Sequence, residues 1–292
     1  VKRLCASPVL TAALAVIVTT SGCGLFIETV ARQDPRIAIG IGAGKMIAAQ
    51  AELSPQAEQR AGDRVHPVIV DIYGGIARPA NVTAYIAQLG ERLAAHSRRA
   101  SLPWRFFVLN SWERNALCAP GGRVYVTLGL LRAVRTEAEL AGAIAHEIGH
   151  VVARHPGERI RRIRTRDAAI EAANRVVNSD VYGWLPGVIG TFADDYLLKG
   201  LPVEHQIEAD ALAVKLLARS KHGACGLRDL VVRLPSTGRA IATLHRTHAT
   251  AKRRIKALQG TVAGTCSTAA VSESFHAMQK ALPAPLQGLG PG

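Results

Sequence analysis

Residues 136–155 read TEAELAGAIAHEIGHVVARH. Thr136 stands where a helix N-cap belongs, and Glu139 follows three residues on, which is a capping-box pattern. Leu140, Ile144, Ile148 and Val151 recur at helical spacing, so a single long helix is predicted from Thr136 to His155. Inside it, His146-Glu147-Ile148-Gly149-His150 is H-E-x-x-H. A helix turns about 100° per residue, so positions four apart share a face. Both imidazoles then point one way and can bind one Zn²⁺ per chain. Glu147 projects beside them, where it can deprotonate a metal-bound water. His155 lies about 140° away from that face. Its expected role is a hydrogen-bonded structural histidine at the helix end, favoured by the dipole.

Working outward, Ala80 to Ser97 carries Val82, Tyr85, Ile86, Leu89 and Leu93 on one helical stripe. Leu102 to Leu109 reads as a strand. Arg123 to Leu128 alternates as a strand after the turn signal Pro120-Gly121-Gly122. Beyond the long helix, helices are expected over 158–178, 203–221, 226–234 and 239–258. Residues 179–202 are rich in Gly, Pro and aromatics and read as a loop or lid. The stretch 24–60 is weakly patterned. Its Ile39 to Lys45 segment lacks the glycine and hydroxyl spacing of a phosphate loop. No period repeats along the chain. The pattern predicts an α+β fold, mainly helical, with a small β-sheet.

Of 292 residues, 48% are apolar and 20% charged, which excludes wholesale disorder. The formal net charge is +14. Nucleic acid is nonetheless not the expected partner, because the chain opens like an exported protein and aromatics for base stacking are only 4%. The run Arg159 to Arg166 is expected to be a solvated helix face. Five cysteines are too few for a disulfide-stapled mini-domain. Residues 1–23 read VKRLCASPVLTAALAVIVTTSGC. Lys2 and Arg3 precede an apolar run from Val9 to Val18, and small residues lead to Cys23, as in a secretory signal. Thr20-Ser21-Gly22-Cys23 resembles a lipobox, in which Cys23 would become the first mature residue and carry the lipid. The expected organisation is therefore a signal over 1–22, a tether over 23–64, the main domain over 65–260 and an extension over 261–292. Leu25, two residues after the cysteine, favours the outer over the inner membrane of a bacterial envelope. Cys225–Cys266 is the expected disulfide.

Residues 136–155 are similar to the active-site helix of HtpX-like and BepA-like zinc metallopeptidases, the gluzincin group that also holds the CAAX prenyl proteases. Three further stretches resemble that family in the same order. Asn115-Ala116 with Pro120-Gly121-Gly122 matches its N-A-x-x-x-P-G-G strand. Glu208-Ala209-Asp210 matches its E-A-D helix, and Thr247-His248 with Arg254-Ile255 matches its T-H-P…R-I segment, with Ala249 in place of Pro.

The resemblance implies a zinc endopeptidase taking unfolded or misassembled envelope proteins. It implies that Gly122, Arg123, Val124, Tyr125 and Val126 form an exposed edge to which substrate adds as a strand. It also implies a third zinc ligand four residues before Asp210, with Asp210 supporting a ligand histidine. That ligand position holds Gln206, a neutral and weaker donor than the family's glutamate. Three outcomes stay open: Gln206 in the ligand position, Glu204 or Glu208 substituting through a local helix change, or no functional metal. His248 would be an added ligand or a donor to the reaction oxyanion, or a surface histidine, and His205 is an outside candidate for the same place. A non-cleaving or latent binding protein on the same scaffold is the alternative to the enzyme.

Overall fold

The computed structural model describes residues 50–177, 200–233, 251–262 and 272–284. The signal, Cys23 and most of the 23–64 stretch lie outside these residues. So do the 179–199 part of the expected lid, residues 239–250 of the last predicted helix, His248, Cys266 and the end of the tail. The chain divides into two compact units. One is Glu52–Ile160 with Leu185–Gly292; the other is Val1–Ala51 with Arg161–Trp184. The described part of the second unit is Gln50, Ala51 and the later turns of the helix that begins at His155.

The first unit is α+β, as the pattern predicts. It opens with α1 (Pro55–Ile72), within the stretch read as leader. Its start follows from local chemistry: Ser54 accepts the Ala57 N–H at the N-terminus and proline occupies the first turn. Glu58 is buried on this helix and accepts from Arg99 at 2.6 Å. α2 (Ala80–Ala94) buries the predicted stripe Val82, Tyr85, Ile86, Leu89 and Leu93.

β1 (Arg105–Leu109), β2 (Ala116–Ala119) and β3 (Arg123–Thr127) form one sheet in the order β1-β3-β2. β3 runs parallel to β1, with Arg105 opposite Arg123, and antiparallel to β2, with Ala119 opposite Arg123. Gly121 and Gly122 turn the β2–β3 hairpin at φ 76° and 84°, which glycine alone adopts cheaply. The expectation of an exposed edge over Gly122 to Val126 is corrected here. β3 is the central strand, both of its ladders are used, and all five of its residues are buried. A strand hydrogen-bonded on both sides has no main-chain groups left for substrate. The edges are β1 and β2, and β2 is the one beside the H-E-x-x-H helix.

A short α3 (Leu128–Ala133) follows, capped by Thr127, whose hydroxyl accepts the Leu130 N–H at 3.2 Å. α4 (Glu137–Val152) starts at the expected cap, where the Thr136 hydroxyl accepts the Glu139 N–H at 3.1 Å. The return half of the box differs. Glu139 accepts from Arg135 N–H at 2.7 Å rather than from Thr136, and also binds Arg233. α4 does not run on to His155. It stops at Val152, Arg154 takes a left-handed φ of 62°, and α5 (His155–Val177) begins afresh.

α6 (Val203–Arg219), α7 (Cys225–Arg233), α8 (Ala251–Val262) and α9 (Glu273–Lys280) complete the described helices. α9 seats Phe275 and Met278 in the core. Cys225 is disulfide-bonded. Among the described residues no helix is long and apolar enough to cross a membrane.

Glycine sets how closely α4 is packed. A Cβ on Gly149 would lie 2.6 Å from the Ala209 carbonyl oxygen of α6, and one on Gly142 would lie 2.7 Å from Leu227 backbone of α7. The two glycines are two turns apart on one stripe, so α4 meets both neighbours backbone to backbone. Gly260, on an exposed turn of α8, has nothing within 4 Å of its would-be Cβ. Gly142→Ala is therefore expected to destabilise by about 1–3 kcal/mol through overpacking. Gly260→Ala is expected to stabilise by about 0.5–1 kcal/mol through helix propensity. Urea unfolding midpoints of the two variants should move in opposite directions.

Candidate metal centre

α4 is buried from Glu139 to Val151, so the H-E-x-x-H face lies inside the protein rather than on its surface. His146 and His150 point to one place, with their Nε2 atoms 3.1 Å apart. The third group is Gln206 on α6, fully buried, with Oε1 3.1 Å from His146 Nε2. Ligand atoms around a tetrahedral zinc with bonds of about 2.0–2.1 Å stand about 3.3 Å apart. The two spacings from His146 Nε2, to His150 and to Gln206, match that value.

The surrounding hydrogen bonds settle which ring atoms face inward. Asp210 Oδ1 is 2.8 Å from His146 Nδ1. That carboxylate accepts the Nδ1 proton and leaves Nε2 with its lone pair. The Arg254 guanidinium from α8 clamps Asp210 with two bonds, at 2.8 and 2.7 Å. Burial by itself would raise the Asp210 carboxyl, but the charges of Arg254 and then His146, and their hydrogen bonds, outweigh it. Its pKa is held well below the usual carboxylate range.

On the other branch, His150 Nδ1 is 2.8 Å from His155 Nδ1, and His155 Nε2 is 3.4 Å from Glu208 Oε2. Burial, and next the neighbouring His205, push His155 down to about 4 against the pull of Glu208 and Glu158, so this ring is neutral near pH 7. With Nδ1 of each ring engaged by Asp210 and by His155, the two imidazole Nε2 atoms and the amide oxygen are the groups turned toward one another. That set of acceptors fits a cation. Because its third member is Gln206, no three His, Cys, Asp or Glu side chains gather as a metal group among the described residues.

Helix α6 keeps one register. Gln206 and Asp210 are buried four residues apart on the face toward α4. Glu204 and Glu208, the substitutes considered from the sequence, are not brought in. Glu204 is exposed and faces Arg253 at 3.5 Å, while Glu208 reaches His155. The Ala209–Gly149 contact and the Asp210–Arg254 clamp pin the helix against the shift that would exchange them. His205 stacks on His155, with ring centroids 4.0 Å apart, and does not join the triad. Glu147 is buried on the same helix between the two histidines.

Two functional neighbours escaped the sequence reading. A helix continued through Arg154 would turn His155 away from the H-E-x-x-H face, at the helix C-terminus. The left-handed turn at Arg154 instead swings it back onto His150 at the start of α5. Arg254 was visible in the R-I segment, and the signal for its role was the need of a buried aspartate for a cation.

Residues 80–262 match Peptidase family M48. The chain is 27% identical over 214 residues to the mitochondrial metalloendopeptidase OMA1 of Schizosaccharomyces pombe, covering 71% of this chain and 62% of that protein. It is 31% identical over 166 residues to the mitochondrial metalloendopeptidase OMA1 of Arabidopsis thaliana, covering 56% and 33%. Over 74 residues it is 42% identical to the beta-barrel assembly-enhancing protease of Escherichia coli (strain K12), covering 25% and 15%. The chain spans less than two thirds of the length of each of these relatives. The matched region contains every residue of the triad and of its supporting carboxylates, and the chain belongs to peptidase family M48.

Proposed function

We propose that this chain is a zinc-dependent endopeptidase of the bacterial cell envelope that degrades misfolded or unassembled proteins. The observation that carries the reading is the convergence of His146 Nε2, His150 Nε2 and Gln206 Oε1 beside Glu147. Zinc held there would make water a nucleophile near neutral pH and polarise a peptide carbonyl. Glu147 would take a proton from the attacking water and pass it to the leaving amine. Asp210 and His155 would hold the two histidines in the tautomers that present Nε2 to the metal. Substrate docking by main-chain pairing at a sheet edge, which accepts unfolded chains without regard to sequence, is part of the proposal.

The envelope assignment is supported by the signal-like N-terminus, by the lipobox-like Cys23 and by the disulfide at Cys225, which belongs to an oxidising compartment. The lipid on Cys23 would tether the protein to the outer membrane, and nucleic acid is not among the proposed partners. His248 is kept as a proposed donor to the reaction oxyanion. The second reading, a latent or non-cleaving binding protein, is favoured by one observation: the ligand on α6 is a neutral amide where a carboxylate would bind zinc more tightly.

Casein is expected to be cleaved by the full chain with zinc and not by its Glu147→Gln variant, with a loss of at least about 100-fold in rate. Equal activity in both would sink the mechanism. A strong chelator should abolish cleavage and added zinc should restore it. Gln206→Glu is expected to tighten zinc binding at least about tenfold in chelator competition, since it adds an anionic ligand. If the parent is silent and this variant cleaves, the protein is latent; if both are silent, it is a non-cleaving binder.

A further inference from the structure

We infer that His155 and Glu208 form a positioning relay for His150, supplying from outside the ligand set a carboxylate that the triad itself lacks. This inference rests on the zinc reading above. Two Nδ1 atoms 2.8 Å apart, on His150 and His155, share one proton between them. The outer end decides which ring owns it. Glu208 Oε2 faces His155 Nε2 at 3.4 Å, and a carboxylate only accepts, so the His155 proton sits on Nε2. His155 Nδ1 is then a lone pair, His150 Nδ1 carries the donated proton, and His150 Nε2 presents its own lone pair to the triad.

Without this acceptor the His150 ring is free to move its proton to Nε2, where it blocks a metal. The His155 ring is held for the task. It is buried, it sits where the left-handed Arg154 restarts the chain, and His205 stacks on it at 4.0 Å with an interplanar angle of 7°. His205 is itself steadied by Glu158, 3.4 Å away. The His146 branch reaches its carboxylate in one step, through Asp210, and the His150 branch reaches Glu208 in two. Anionic supporting groups raise the basicity of imidazole ligands. In a site whose third ligand is an uncharged amide, both branches matter more than they would beside a glutamate.

The test is zinc affinity of the full chain by chelator competition, with the visible spectrum of the cobalt-substituted protein and the apo thermal midpoint as second readouts. His155→Phe keeps a ring to stack on His205 but deletes the acceptor, and is expected to lose 10–100-fold in zinc affinity and change the cobalt spectrum. His155→Asn places a carbonyl oxygen where Nδ1 stood and is expected to recover most of that loss. Glu208→Ala removes a largely exposed side chain that the fold does not need, and is expected to weaken zinc about tenfold with the apo midpoint unchanged.

Equal losses in the Phe and Asn variants, or an unchanged affinity in Glu208→Ala, would overturn the relay. Nitrogen NMR of the metal-free chain reads the His150 tautomer directly: Nδ1–H in the parent and a shift toward Nε2–H in Glu208→Ala. A parent that binds no zinc but shows this tautomer change would defeat the zinc reading and leave the relay standing. A parent that binds zinc with no tautomer change would do the reverse.

Discussion

The backbone contact between α4 and α6 at Gly149 and Ala209 is the constraint on which the site depends. His146 and His150 come from one helix and Gln206 and Asp210 from another, and His146 meets each of the other three at 2.8–3.1 Å. Side chains as short as His and Gln span that gap only if the two helix backbones nearly touch. Gly149, lying inside the H-E-x-x-H motif between the metal-facing histidines, provides that approach, because any Cβ there would drive into the Ala209 carbonyl. The same contact fixes the rotation of α6, and so decides that Gln206 and Asp210 face inward while Glu204 faces solvent.

Around this contact the structure places polar groups that would be costly if unpaired. A buried carboxylate and a buried guanidinium each lose several kcal/mol of hydration, and breaking such a pair by removing one partner costs about 3–5 kcal/mol. Asp210 and Arg254 meet in a two-bond clamp, so α8 is tied to α6 at the point where α6 supports His146. Stability and site geometry are therefore coupled there: the interaction that neutralises Asp210 also orients a ligand. Elsewhere in the unit the same economy recurs, with Glu139 bridging Arg135 and Arg233 and Glu58 meeting Arg99.

The chemical character of the centre follows from where its charge resides. The converging atoms are neutral, and the carboxylates stand one hydrogen-bonded step behind His146 and two behind His150. A metal held in this position would keep more of its own positive charge than it would with a carboxylate ligand. That would favour acidity of a bound water while weakening retention of the ion, and under the proposed function the balance between these effects would turn on the residue at position 206.

The helix from Thr136, its cap, the pairing of His146 with His150, the stripe on α2 and the glycine turn before β3 were all legible in the chain. Each depends on spacing or capping within a few residues, where period 3.6 or period 2 decides the geometry. Position 206 was also legible as the odd member of a known pattern. What the tertiary structure alone decided was longer in range. Strand order is set by packing, so RVYVT could not announce that it lies between two neighbours rather than at an edge. A left-handed Arg154 has no sequence mark, because the penalty on a non-glycine residue there is met by the contacts that hold His155 in place. Asp210 needed a cation, but which of the 36 Lys and Arg residues reached it was fixed only by the docking of α8. The sequence by itself determined which side chains could serve as ligands; the fold determined which atoms of them meet, because that depends on helix-to-helix distance and rotation that no local spacing encodes.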